Sequence, residues 1–322
     1  MAMNFWEEQR HAKARTFYYL VMFFMLTCIA GGLAEWAMRV FAADQYDNPP
    51  LPYVALIFFA ITFLTAGFNY IRYMSAGGRA VAESVGAYEV DPQTTDPTER
   101  QLLNIVQEIA LATSLPVPPV FIVRAKEINA FAAGTNPENA AITVTTGCLN
   151  LLNRDELQGV LAHEFGHIYN RDMTIGMRVA AMTMGFFICM YIGLRMLQWS
   201  SFGRSRSDGD KKGGNPLLAG AIIFLIIGAL TWFFGSILQS MVSRQREYLA
   251  DACSVQYTRN PEGIANALKK IENSNVQDMP STGKAFSHLY FNERPSLWDR
   301  LFSTHPPIED RINRILGGDY TK

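Results

Sequence analysis

The sequence predicts a mostly helical α+β protein: a globular block with a small sheet, carried by about four membrane-crossing helices. Three observations predict it. Four long runs carry no charge, about 185 residues outside them have a globular composition, and residues 163–167 read His-Glu-Phe-Gly-His. Of the 322 residues, 49% are hydrophobic and only 18% charged, whereas about a quarter is charged in an average soluble domain. The shortfall is concentrated in the four runs. A net charge of −1 supplies no field for nucleic acid, so that class of partner is set aside.

The first run, Phe17 to Ala34, and the second, Leu51 to Ile71, are each about long enough to span a bilayer as a helix. The first is too long for the apolar region of a cleavable leader. The residues before Glu35-Trp36 offer no clear small-residue cleavage site, so it reads as a retained anchor. The third run, Val179 to Leu194, has 16 residues between Arg178 and Arg195. Arg195 can snorkel to an interface and lengthen it. The fourth, Pro216 to Ser243, is uncharged over 28 residues. The competing explanation, buried core helices, is weakest where the uncharged run is longest. Between the third and fourth runs, Ser200 to Asn215 is rich in Ser, Gly and charge and reads as a flexible loop.

The remainder falls into two blocks, Arg72 to Arg178 and Arg244 to Lys322. Asp96 or Thr98 can cap a helix to about Thr113, with Leu102, Leu103, Val106, Ile109 and Ala110 on its apolar face. Val120 to Val123 is a short β-branched strand, and Ala141 to Thr146 a second that ends in Gly147. Glu127 to Asn139 connects them. Asn153 or Asp155 starts the helix that carries the pentad, which ends near Asn170 to Asp172. Residues from Ser243 to Asp251 keep helical character, and Asn260-Pro261 opens another helix to about Glu272. Asn273 to Lys284 is polar. A final short helix carries Ile308, Ile312 and Ile315 on one face. The four cysteines show no metal or redox spacing and read as small buried residues.

The pentad carries the chemistry. Residues i and i+4 of a helix lie on one face, so His163 and His167 can offer two imidazole nitrogens to one Zn²⁺. Glu164 can reach the remaining coordination position and take a proton from water held there. Two solvated or core histidines on an ordinary helix are the bland reading. A catalytic zinc site needs a third protein ligand, and His288, His305 and a carboxylate are the candidates. Glu247 is favoured by its setting: it and Asp251 are i and i+4 on one helix face, so one can bind metal while the other orients a ligand histidine. The competing reading is a solvated carboxylate pair balanced by Arg244 and Arg246.

His163-Glu164-Phe165-Gly166-His167, then Arg246-Glu247-Tyr248-Leu249-Ala250-Asp251 about 80 residues on, then Thr304-His305-Pro306-Pro307, resemble the HtpX family of membrane-anchored zinc metalloproteases, relatives of the CAAX prenyl proteases. Asn129-Ala130-Phe131 and Thr145-Thr146-Gly147-Cys148-Leu149 match its pattern too, as does the order of membrane segments. The resemblance covers nearly the whole chain; the polar loop at 200–215 departs from it. It implies a gluzincin-like domain with a small sheet. It implies one Zn²⁺ per chain, bound by His163, His167 and Glu247, with Glu164 as base and Asp251 orienting a ligand. It implies that His305 faces the cleft as an oxyanion donor. Asn129, Ala130 and Phe131 would lie by an edge strand where an extended polypeptide substrate adds. His11 and His288 receive no role.

Four segments follow. Residues 1–71 hold an N-terminal tail and two transmembrane helices; 72–178 form the first part of the catalytic domain. Residues 179–243 hold two further transmembrane or membrane-associated helices with the loop at 200–215, and 244–322 the second part of the domain with the third ligand. The pentad and Glu247 must meet at one ion, so the chain between them crosses the membrane an even number of times or not at all. Arg10, Lys13, Arg15, Arg72, Arg79, Arg171, Arg178, Arg244 and Arg246 then fall on one side, and Arg39 with the four loop cations on the other. The balance puts the catalytic domain on the cytoplasmic face of the inner (plasma) membrane. The expected function is endopeptidase cleavage of membrane or misfolded proteins; the resemblance links it to membrane-protein quality control. An intramembrane protease is opposed by the charges at Arg154, Asp155, Glu156, Arg171 and Asp172, which enclose too short a stretch to span. A zinc-binding membrane scaffold without activity is opposed by the lack of a cysteine-rich fourth ligand and by Glu164, which would have no purpose.

Overall fold

The structure, a computed structural model, describes residues 5–43, 46–47, 49–75, 77–202, 216–274, 303 and 305–316. The polar loop beyond 202, residues 275–284 of the second polar stretch, His288 and Thr304 lie outside the described residues. The chain divides into two compact units: Met1–Arg15, Tyr73–Gly176 and Ser240–Lys322 form one; Thr16–Arg72 and Met177–Gln239 form the other. Among the described residues the fold is mostly helical, with one small mixed sheet and four helices long and apolar enough to cross a membrane.

In the first unit the sheet has the order β1 (Tyr88–Glu89), β2 (Val120–Val123), β4 (Ala141–Thr145), β3 (Ala130–Ala133). β2 and β4 are parallel in the centre; β1 and β3 add antiparallel at the two edges. Every residue of β2 and β4 is buried, as expected for strands covered on both faces. Val120, Ile122, Ile142 and Val144 enter the main core with Leu102, Ile105, Leu161, Phe165, Ile264 and Leu268. Phe121, Val123, Phe131 and Ala133 face the other way, onto Ala82 of the short helix α3 (Gly78–Ser84) and Val85 just beyond its end. α4 (Pro97–Thr113) starts at Asp96, which accepts from Thr98 and Glu99 N–H at 2.8 and 3.0 Å, a cap of about 1 kcal/mol. α5 (Thr146–Leu151), α6 (Arg154–Asn170) and α9 (Pro261–Asn273) follow, and α10 (Ile308–Leu316) closes the described chain. Lys270 of α9 pairs with Glu156 of α6 at 2.7 Å.

The second unit is built from parts of α1 (Phe5–Phe41), α2 (Tyr53–Ser75), α7 (Asp172–Phe202) and α8 (Pro216–Thr258). α7 runs well past both ends of the uncharged run from 179 to 194, so its apolar stretch, Asp172–Trp199, reaches 28 residues. A Cβ on Gly193 would lie 2.4 Å from Leu225 N, and one on Gly228 2.4 Å from Met190 N. The two helices thus pack backbone to backbone, the small-residue mode of membrane helices. Glu35 accepts from Val54 N–H at 3.0 Å, from Tyr46 and from Arg39, satisfying a free donor at the start of α2.

Candidate metal centre

α6 begins at a capping box. Asn153 accepts from Glu156 N–H at 2.9 Å, and Glu156 accepts from Asn153 N–H at 2.8 Å. Leu157, Val160, Leu161, Phe165 and Ile168 bury one side against the sheet core. On another side the helix meets α8 at a glycine. A Cβ on Gly166 would lie 2.9 Å from the Cβ of Cys253 and 3.1 Å from the Cα of Ala250. That close approach explains why the pentad's fourth residue is Gly here. It brings Glu247 and Asp251, which flank Ala250, against the two histidines.

His163 Nε2 and His167 Nε2 lie 3.2 Å apart, with their rings nearly perpendicular. Glu247 reaches both: Oε2 is 3.6 Å from His163 Nε2, and Oε1 is 3.5 Å from His167 Nε2. Each Nδ1 faces a carboxylate instead. Asp251 Oδ1 is 3.0 Å from that of His163, and Asp172 Oδ2 is 3.0 Å from that of His167. Nδ1 protonated toward a carboxylate leaves Nε2 with its lone pair, so two lone pairs and a carboxylate converge on one point. Zinc with ligand distances of about 2.0–2.1 Å in a tetrahedron separates neighbouring ligands by roughly 3.3 Å. The three observed separations fit that spacing. Among the described residues this is the group of His, Cys, Asp and Glu placed to hold a metal ion. Burial opposes protonation of His167, yet Asp172 and Glu247 carry its pKa well above the ordinary imidazole value; the two carboxylates stabilise positive charge here, which a bound metal ion would supply in place of the proton on Nε2.

Glu164 is buried and its Oε2 accepts from the backbone N–H of Ala132 at 2.8 Å. Burial pushes its carboxyl above the ordinary carboxylate range, although the two histidines pull the other way. It is thus held by edge strand β3. Sequence reasoning centred on Asn129, Ala130 and Phe131; the strand is Ala130–Ala133, and the residue that touches Glu164 is Ala132. Asn129 is buried and bonded inward to Thr145, while Phe131 packs in the core on the far face.

His305 Nδ1 lies 3.1 Å from Glu247 Oε2. Two further residues escaped the sequence reading. Arg311, only 1% exposed, grips Asp251 with Nε and Nη2 at 2.9 and 2.6 Å and reaches Glu247 Oε2 with Nη1 at 3.1 Å. Burial opposes its charge, but Asp251 and Glu247 hold it firmly protonated. Asp172, five residues beyond His167, was noted as a helix-flanking charge and not as a partner of the site. The signal for Arg311 was charge balance, since a pocket with Glu164, Glu247 and Asp251 needs a buried cation; nothing in the sequence marked Asp172.

The model for peptidase family M48 matches residues 96–318. A "Protease HtpX homolog" of Thermoanaerobacter pseudethanolicus is 38% identical over 312 residues, covering 96% of both chains. One of Streptococcus equi subsp. equi is 44% identical over 216 residues, 66% of this chain and 71% of that protein. Among solved structures, the crystal structure of S. mikatae Ste24p superposes with a TM-score of 0.51 at 15% identity, over 94% of this chain and 67% of that one. At that identity the likeness speaks for the fold alone.

Proposed function

The chain belongs to peptidase family M48 with the HtpX homologues and is a membrane-anchored metalloendopeptidase, and we propose that one zinc per chain, held by His163, His167 and Glu247, serves its peptide-bond cleavage. The convergence of those three side chains on one point, with Glu164 beside them, carries the reading. Bound there, zinc would supply a Lewis acid for the scissile carbonyl and for water.

The rest of the chemistry belongs to the chain. Glu164 takes a proton from the attacking water as its oxygen adds to the carbonyl carbon, then returns that proton to the amine as the C–N bond breaks. Burial, which raises its pKa, keeps the protonated form accessible between those steps. The Ala132 N–H holds the carboxylate in place. His305, with Nδ1 3.1 Å from Glu247 Oε2, stands beside the ligand set as the donor to the developing oxyanion. Asp251, clamped by Arg311, fixes the ring of His163. β3 is the last strand of the sheet, and an extended polypeptide would add along it beside the Ala132–Glu164 contact, with the stretch from Asn129 to Phe131 at its start.

The same reading puts the catalytic unit on the cytoplasmic side of the inner (plasma) membrane, on the arginines and lysines that flank the spans. Its substrates are then membrane or misfolded proteins presented at that face. The test is cleavage of an unfolded model protein in detergent. Wild type should be active with zinc and inactive after chelation, and Glu164→Gln inactive while still holding zinc. Chelator-resistant cleavage would refute it.

A further inference from the structure

The geometry points to Asp172 and Arg246 as a positioning pair that fixes the ring of His167, matching on this histidine what Asp251 and Arg311 do on His163. The inference rests on the zinc reading above. Asp172 is the first residue of α7. It follows Arg171, whose left-handed backbone (φ 55°) ends α6. That one-residue turn folds the chain back so that Asp172 Oδ2 meets His167 Nδ1 at 3.0 Å. The other carboxylate oxygen, Oδ1, lies 3.0 Å from Arg246 Nη1, and both side chains are 6% exposed. Arg246 immediately precedes Glu247. One stretch of α8 therefore supplies the ligand to one side and the counter-charge to the other.

A lone buried aspartate next to Glu247 would add like charge to a pocket already rich in carboxylates. Arg246 removes that penalty and leaves one oxygen of Asp172 for the imidazole. The hydrogen bond then selects the tautomer with the proton on Nδ1 and points Nε2 at the ion. Each ligand histidine thus has its own carboxylate, and each carboxylate its own buried arginine. The two pairs come from different parts of the chain: 172 with 246, and 251 with 311.

The measurement is zinc affinity of the full-length chain in detergent, by competition with a chromogenic chelator. The melting temperature of the metal-free protein is recorded beside it. Asp172→Ala should weaken zinc binding by about 10- to 100-fold, the usual cost of removing a hydrogen-bonding partner of a ligand histidine. Asp172→Asn keeps an acceptor oxygen and should lose less than Asp172→Ala. If Asp172→Ala does not fold, Asp172→Asn carries the test: it should lower the metal-free melting temperature, because Arg246 loses its counter-charge, and should also weaken zinc binding by several-fold in the folded protein. Zinc affinity within threefold of wild type in a folded variant overturns the inference. So does a fall in melting temperature without weaker zinc binding, which assigns the pair to folding alone. A wild type that binds no zinc refutes the metal reading itself, which is a different outcome.

Discussion

The metal pocket and the membrane unit place polar and apolar side chains in opposite ways. In the pocket, Arg311 and Asp251 are each 1% exposed. In the membrane unit, Leu64 is 73% and Phe68 68% exposed. Neither pattern suits water on its own. Buried charges persist because each is paired and hydrogen-bonded. Exposed apolar chains persist because a bilayer is their solvent. Glycine is used in both regions for close helix approach, at Gly166 in the pocket and at Gly193 and Gly228 in the membrane unit, yet only at Gly166 does the approach assemble chemistry. The difference teaches that side chains at the pocket act as a network, whereas lipid-facing ones act singly.

Four substitutions sharpen or break that contrast. Glu164→Gln removes the proton acceptor and keeps the shape. It should lower kcat by about 10²–10⁴-fold with zinc content unchanged, and near-normal turnover would remove Glu164 from the mechanism. Asp251→Ala leaves Arg311 buried without its bidentate partner. The expected cost is about 3–5 kcal/mol, read as a lower melting temperature in detergent together with weaker zinc binding; an unchanged melting temperature breaks the network account. Gly166→Ala places a methyl against Ala250 and Cys253. It should destabilise by about 1–3 kcal/mol and spread Glu247 from the histidines, so that zinc affinity falls with stability. The smallest effect belongs to the membrane unit. Leu64→Ala should change stability by less than about 0.5 kcal/mol; a loss as large as that of Gly166→Ala would mean that lipid-facing positions are coupled after all.

What could be read from the sequence follows the same division. The four membrane helices were visible as uncharged runs, and α6 as a capped helix carrying the pentad, because both signals are local. Asn153, not Asp155, is the cap, since only its side chain closes the box with Glu156. β2 and β4 were visible through their β-branched residues. β3, Ala-Phe-Ala-Ala, has no such residue and is a strand because it pairs with β4. β1, with two residues, exists only against β2. α3 and α5 are too short to show periodicity. Arg311 lies 60 residues from Asp251 in the chain, in a short helix whose sequence pattern marks only Ile308, Ile312 and Ile315 as an apolar face. Asp172 looked like an ordinary charged helix start, because nothing local marks a carboxylate that turns back to a histidine. His305, expected beside the metal cleft, has its Nδ1 3.1 Å from Glu247 Oε2.

The central claim is that His163, His167 and Glu247 hold one zinc ion between them. Metal content of the purified full-length chain tests it most directly, with wild type compared against Glu247→Ala under identical loading and washing. The claim predicts about one zinc per chain in wild type and a large loss in Glu247→Ala, because one of three protein ligands is gone. Full zinc content in a folded Glu247→Ala protein would contradict it.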